Sequence, residues 1–255
     1  QGIISPERLH NDYRLYGERE LMSMGYAIQL RRFGFSMQET SHLMTQEDFE
    51  GQEEAFLQRA DELEREIDTL IRMRKTLLAS ANEGRYARGL LGRLEVKNSP
   101  AAYFLGLRRE EQWLSKDAIT QSRAWIEAYS PHTFSAILLD GPYFIEEKAY
   151  TAPPQYGLYV PGAVALELGF LPSRLVTYLV PKPCLTTAFI TRYESPRYEK
   201  EIQMVKDYAQ KEGLSLQGGG IITITKCIRD EEGLLCLCLM RVPLLAEEDA
   251  FGTIR

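Results

Sequence analysis

Five aromatic residues, Tyr143, Phe144, Tyr150, Tyr156 and Tyr159, fall within 17 residues, with Glu146 and Glu147 beside them. Aromatic faces attract cations through the ring quadrupole and offer adaptable apolar area to planar molecules, and a nearby carboxylate can neutralise a ligand's positive charge. The chemistry on offer is capture of a drug-like aromatic molecule, not bond making. Tyr178, Phe189 and Tyr193 could face the same groove from further along the chain. Each aromatic also has an ordinary alternative as a core or rim residue of a sheet, and adjacent carboxylates in a polar loop are commonly solvated.

A second cluster lies near the N-terminus, where Tyr13, Arg14 and Tyr16 put a cation and two hydroxyls on one turn. Such groups contact phosphate oxygens and fix register on nucleic acid without reading bases. A surface turn whose tyrosines pack on the next helix is the alternative. Arg8, His10, Arg31 and Arg32 are weaker candidates of the same kind. Cys236-Leu-Cys238 sets two thiols on one strand face, because side chains alternate with period two. With no His or third Cys at ligand spacing they read as small buried hydrophobes, and neither a metal nor another cofactor is expected. His10, His42 and His132 are far apart, and the sequence holds no nucleophile elbow, phosphate loop or zinc-hydrolase pattern, so the chain is not expected to be an enzyme. Gly218-Gly-Gly220 reads as a turn or bulge before a strand.

The 255 residues carry a net charge of -6, with 44% hydrophobic and 26% charged residues, which is a globular composition. That charge argues against nonspecific coating of nucleic acid or an anionic membrane. No apolar run approaches the ~18 residues of a membrane span, and residues 1–11 lack the basic start and apolar middle of a signal peptide. A cytoplasmic protein without a membrane partner is expected, and four cysteines are too few for a secreted disulfide framework.

Charge and periodicity then divide the chain into the elements that must position these residues. In residues 1–45, Leu21, Met24, Ala27, Ile28 and Arg31 recur at helical spacing from Glu18. Phe33-Gly-Phe35 interrupts them, and Ser36 with Glu39 makes a capping box for a second short helix. In residues 46–84, Phe49, Phe56, Leu63, Leu70 and Leu77 recur every seven residues, with Ile67 between them and charged flanks such as Glu62, Arg65 and Glu66. This is the seam of a coiled-coil dimerisation helix, expected over about Asp48–Asn82 and stopped at Gly84; it predicts a homodimer. Intrachain packing is the alternative, though it would need a wider apolar stripe.

Residues 91–245 show one order of elements twice. The first unit runs Arg93-Leu-Glu-Val, a Pro100 turn, strand 101–107, helix 116–129 and strands 134–139 and 156–160. The second runs strand 174–180, a Pro-Lys-Pro turn, strand 185–191, helix 196–211 and strands 220–227 and 234–242. Two such units about a pseudo-twofold axis would build one mixed sheet with both helices on one side and a groove on the other, the apolar link 162–172 serving as a lid or connection over that groove. The fold class is α+β.

Ser5-Pro-Glu-Arg, Tyr13-Arg-Leu-Tyr-Gly-Glu-Arg-Glu-Leu21 and Leu30-Arg-Arg-Phe-Gly-Phe-Ser-Met-Gln-Glu39 resemble the wing and following helices of MerR-family transcription regulators, in which an antiparallel coiled-coil dimerisation helix comes next. The duplicated half, with Asp140-Gly-Pro-Tyr143, is similar to the GyrI-like effector-binding domains of multidrug-sensing members. The resemblance implies a winged-helix regulator whose Tyr13, Arg14 and Tyr16 touch promoter DNA. A hydrophobic or cationic aromatic effector would sit among Tyr143, Phe144, Glu146, Glu147, Tyr150, Tyr156, Tyr159 and Tyr178. RNA polymerase would then be activated by ligand-shifted distortion of the promoter, the signal travelling along the coiled coil. The family's helix-turn-helix has no counterpart ahead of the wing here, so this chain by itself is expected to bind operator DNA poorly or not at all. The strand on which such domains carry a ligand-facing glutamate reads Gly220-Ile-Ile-Thr-Ile-Thr, without an acid, which widens the expected ligands to neutral or zwitterionic aromatics. Metal-sensing relatives place cysteines near the end of the long helix, and residues 48–92 contain none. A ligand-binding protein without DNA binding, and a hydrolase built on the GyrI-like domain, are the rival readings.

Overall fold

The computed structural model describes residues 7–8, 14–45, 49–109, 112–145, 153–170, 173–193 and 198–245, with side chains from residue 16 onward. The chain divides into two units, residues 1–72 and 73–255.

In the first unit, strands β1 (Glu7–Arg8) and β2 (Arg14–Leu15) pair antiparallel with Arg8 opposite Arg14. Helix α1 (Glu18–Arg32) starts after Gly17 with Glu18 and Glu20 in its first turn, where the helix dipole favours acids. Helix α2 (Met37–Thr45) begins on the expected capping box: the Ser36 N–H donates to Glu39 Oε2 at 2.5 Å and the Glu39 N–H donates to Ser36 Oγ at 3.2 Å. Helix α3 (Glu50–Gly89) follows. Its first turns close this unit's core, because Phe56 packs on Leu30, Phe35 and Leu43, with ring centroids 6.0 Å from Phe33 and 5.8 Å from Phe35. Gln52 accepts from the Tyr26 hydroxyl at 2.9 Å and donates to the Leu43 carbonyl at 2.7 Å.

Forty residues make α3 about 60 Å long at 1.5 Å per residue. It runs through Gly84, the expected stop, and ends at Gly89. An interior helical glycine costs only about 1 kcal/mol, and this one is buried where a Cβ would stand 3.1 Å from the Lys226 side chain. The heptad positions separate in role. Phe56 serves the core of its own unit, whereas Phe49, Leu63, Ile67, Leu70 and Leu77 are exposed on the single chain, Leu70 at 63% and Leu77 at 71%.

The second unit contains β3 (Leu94–Asn98), β4 (Ala102–Arg109), the short β5 (Gln112–Trp113), α4 (Lys116–Tyr129), β6 (Phe134–Leu139), β7 (Gln155–Pro161), α5 (Gly162–Glu167), β8 (Val176–Leu179), β9 (Pro183–Arg192), α6 (Glu199–Lys211), β10 (Gly220–Asp230) and β11 (Gly233–Pro243). The strands form one sheet in the order β3-β9-β11-β10-β6-β7-β4-β5, with β8 also on β4. The duplication is visible in that order. About the central β10–β6 pair, β11 answers β7, β9 answers β4 and β3 answers β8.

The expected mixed sheet is instead antiparallel at every pair of named strands. In each repeat the helix joins two strands running the same way, but the third strand inserts between them: β7 separates β4 from β6, and β11 separates β9 from β10. Parallel neighbours therefore never meet.

Both helices lie on one face. Ile222, Met240 and Phe189 pack under Val205 and Ala209 of α6, and Leu105 and Val160 pack under Trp125 of α4. The link after β7 belongs to this same face: α5 and Phe170 pack on Trp125, Tyr129 and Tyr103, with Phe170 and Trp125 ring centroids 5.0 Å apart. It does not roof the groove, because its apolar residues Ala165 and Phe170 are drawn to the aromatic core around α4. On the opposite face the end of α3 covers β9 and β11 through Ala87 and Leu90 against Ala188 and Leu239. The rest of that face is where the cavity lies.

Candidate effector-binding site

Period-two alternation decides which residues reach the open face. From β4, β6, β7, β8 and β10 come Ala102, Leu138, Tyr159, Leu179 and Ile221; from β9 and β11 come Cys184 and Arg241. Together with the turns carrying Ser99, Pro100, Val180, Lys182, Gln217 and Gly219, they line a partly open cavity of about 290 Å³, mainly apolar. That is the low end of small-molecule pockets and suits one fused ring system or a short aliphatic chain. Two glycines let strands close up beside it. At Gly157 a Cβ would meet the Leu105 carbonyl oxygen at 2.1 Å, and at Gly219 the Leu139 carbonyl oxygen at 2.6 Å.

The polar groups of the cavity are few. Arg241 is 8% exposed and its guanidinium donates to Thr223 Oγ1 at 3.1 Å and to Glu83 Oε1 of α3 at 2.7 Å. Lys182 is partly buried and its Nζ donates to Gln217 Oε1 at 3.1 Å. The Ser99 hydroxyl accepts from the Lys182 N–H at 3.1 Å, which fixes the Pro-Lys-Pro turn at the mouth. Burial pushes the Tyr159 phenol up from its ordinary value, with Arg241 opposing and Glu83 adding to it. Burial also raises the Cys184 thiol, while Ser99, Arg241 and Lys182 pull it the other way.

Of the residues expected to bind an effector, Tyr159 and Tyr178 are at this cavity. Tyr178 only borders it: half exposed, its ring stacks 5.0 Å from Tyr103, which packs on the α4 side of the sheet. Tyr143, Phe144 and Tyr156 are not in it: they pack in the core beneath α6, where burial raises the Tyr156 phenol with Tyr193 adding to it. Tyr156 and Tyr159 stand three apart on one strand, so the pleat sends them to opposite faces. Glu146, Glu147 and Tyr150 lie outside the described residues, as does Tyr13. Arg14 is in the short β1–β2 hairpin and Tyr16 follows it, exposed. Cys236 and Cys238 are buried in the core beneath α6, with burial and the neighbouring Cys236 and Cys227 thiols pushing Cys238 up to about 12.

Lys182, Gln217 and Arg241 are the residues that sequence reasoning passed over. A lysine between two prolines that link strands was the available signal for Lys182. Arg241, amid the apolar run of β11, was legible as a buried charge requiring a partner.

Among the described residues no helix is long and apolar enough to cross a membrane, and no group of three His, Cys, Asp or Glu is placed to hold a metal ion. No family model matches the chain, and no curated protein is a detectable relative. Solved structures do resemble it. An EcmrR–DNA complex in EcmrR-RPo is 13% identical, covering 92% of this chain and 87% of that one with a TM-score of 0.39. A hydrolase encoded by lin2189 from Listeria innocua is 10% identical, covering 64% and 97% with a TM-score of 0.38. SAV2435 bound to tetraphenylphosphonium is 10% identical, covering 62% and 98% with a TM-score of 0.34.

Proposed function

We propose that this chain is the dimerisation and effector-sensing portion of a ligand-responsive transcription regulator of MerR type. The observation that carries the reading is the partly open, mainly apolar cavity on the face of the duplicated sheet opposite α4 and α6, with Tyr159 in its wall and Tyr178 at its border. Support from the first unit comes from the order hairpin, α1, α2, α3, which follows the resemblance of residues 5–39, and from the exposed apolar ladder on α3. In this reading Leu63, Ile67, Leu70 and Leu77 pair with a second copy, Tyr13, Arg14 and Tyr16 contact phosphates of promoter DNA, and a small apolar molecule in the cavity biases a conformational equilibrium that RNA polymerase senses through the promoter.

The test is thermal unfolding in the presence of neutral, cationic and anionic aromatic compounds, since a ligand that binds only the folded state raises Tm by mass action. A saturable rise for a subset of compounds, lost in Val180→Trp at the cavity mouth while the circular dichroism spectrum is retained, is the expected result. No rise with any compound, or a rise untouched by Val180→Trp, would overturn the effector cavity.

A further inference from the structure

The charges that line the cavity carry a further consequence, resting on the effector reading above. Among the described residues the lining includes two cationic side chains, Lys182 and Arg241, and no carboxylate. They differ in state. Arg241 is compensated, because Glu83 stands 2.7 Å from its guanidinium and Thr223 takes another of its donors. Lys182 has no carboxylate partner among the described residues; its ammonium is held by the neutral side-chain oxygen of Gln217 at 3.1 Å. Lys182 leads into β9 two residues before Cys184, and Arg241 on β11 stands opposite Thr186, so both cations come from the β9–β11 side of the cavity. The opposite walls, Ala102, Leu138, Leu179 and Ile221, are aliphatic.

We infer that the cavity selects an amphiphile with an apolar ring or short chain and one carboxylate, the carboxylate pairing with Lys182 at the Ser99–Gln217 end. An ammonium ligand at that end would face Lys182 and Arg241 with only Glu83, already engaged, behind them. Lys182 offers three donors and spends one on Gln217, leaving two for a carboxylate. Because the ammonium is only partly buried, the pairing contributes a preference of about five- to tenfold, not an absolute requirement.

The experiment uses three naphthalenes matched in size and bearing a carboxylate, a hydroxymethyl or an aminomethyl group, titrated calorimetrically into the full chain at low salt. The carboxylate is expected to bind about five- to tenfold tighter than the alcohol, and the ammonium more weakly than both. Lys182→Gln should bring carboxylate and alcohol level, and Lys182→Arg should keep the preference. Raising the salt should erode it, because the charge pair is reached by solvent. If the ammonium equals or exceeds the carboxylate, or if Lys182→Gln preserves the preference, the charge selection is wrong while the effector cavity stands. If none of the three binds, and the wider set of aromatics also leaves Tm unmoved, the effector reading falls and this inference with it.

Discussion

Glu83 and Arg241 meet at 2.7 Å although 158 residues separate them in sequence, which fastens the last turns of α3 to the sheet strand that floors the cavity. The guanidinium is almost wholly out of water and the carboxylate is not, with side chains 10% and 39% exposed. Removing the acid therefore leaves a buried cation without its counter-charge. Glu83→Gln is expected to lower stability by about 1–3 kcal/mol, less than a fully buried pair would lose because Glu83 is reached by solvent. Arg241→Met on the Glu83→Gln background should recover most of it. Urea midpoints of the single and double variants check this, and a double variant as unstable as the sum of the two would refute the coupling.

The apolar ladder of α3 makes a prediction about assembly. The parent chain is expected to sediment as a dimer held by this ladder and Leu63→Glu with Leu70→Glu as a monomer, with little change in the folded content of the second unit; a parent chain that sediments as a monomer would refute the seam. Phe56→Ala acts differently: it removes a ring from the Leu30, Phe35 and Leu43 core and should cost about 3 kcal/mol within that unit.

Two glycines should respond in opposite directions. Gly157→Ala drives a methyl group into the Leu105 carbonyl and the Phe104 ring, 2.1 Å and 2.8 Å from the added carbon, and should cost at least about 2 kcal/mol by separating β4 from β7. Gly25→Ala lies inside α1 with nothing within 4 Å of the added carbon, and should stabilise by about 0.5–1 kcal/mol. Thermal unfolding of the two variants reads both signs.

Acid should weaken the second unit through Asp140. Burial pushes its carboxyl up, but hydrogen bonds from Arg109 at 2.5 Å and Gln155 at 2.6 Å outweigh that and leave it below the ordinary carboxylate value. A carboxyl depressed in the folded state adds stability that is fully present above its unfolded pKa and lost as pH falls through the folded one. The difference in Tm between the parent and Asp140→Asn should therefore be constant near neutrality and shrink below about pH 4. A difference that grows in acid would contradict the assignment.

Much of this architecture was written locally. The capping box at Ser36 and Glu39, the two strand-helix-strand-strand orders and their turns depend on nearest-neighbour chemistry, and they appear within a few residues of where the pattern puts them. The cavity was less legible, for a reason that Tyr143, Phe144 and Tyr156 make concrete. Aromatic density along the chain says how much ring is present, while the pleat decides which side of the sheet receives it. Within a strand that choice is readable from odd and even positions, as with Tyr156 and Tyr159. Across the loop from Tyr143 it is set by long-range contacts with α6. Lys182 and Arg241 were passed over because a cation's meaning depends on what stands opposite, and Glu83 comes from another element altogether.

The outermost strands are exchanged between the two repeats. β3 opens the first repeat yet finds its place against β9 of the second, and β8 opens the second yet lies along β4 of the first. Each half thus lends its leading edge to its sibling, like two hands clasped by the thumbs. A chain severed between the repeats would yield fragments that each lack a border and carry a spare one, so neither is a self-sufficient folding unit. Whatever duplication produced this pattern, the copies are now bound to fold, and to fail, as one.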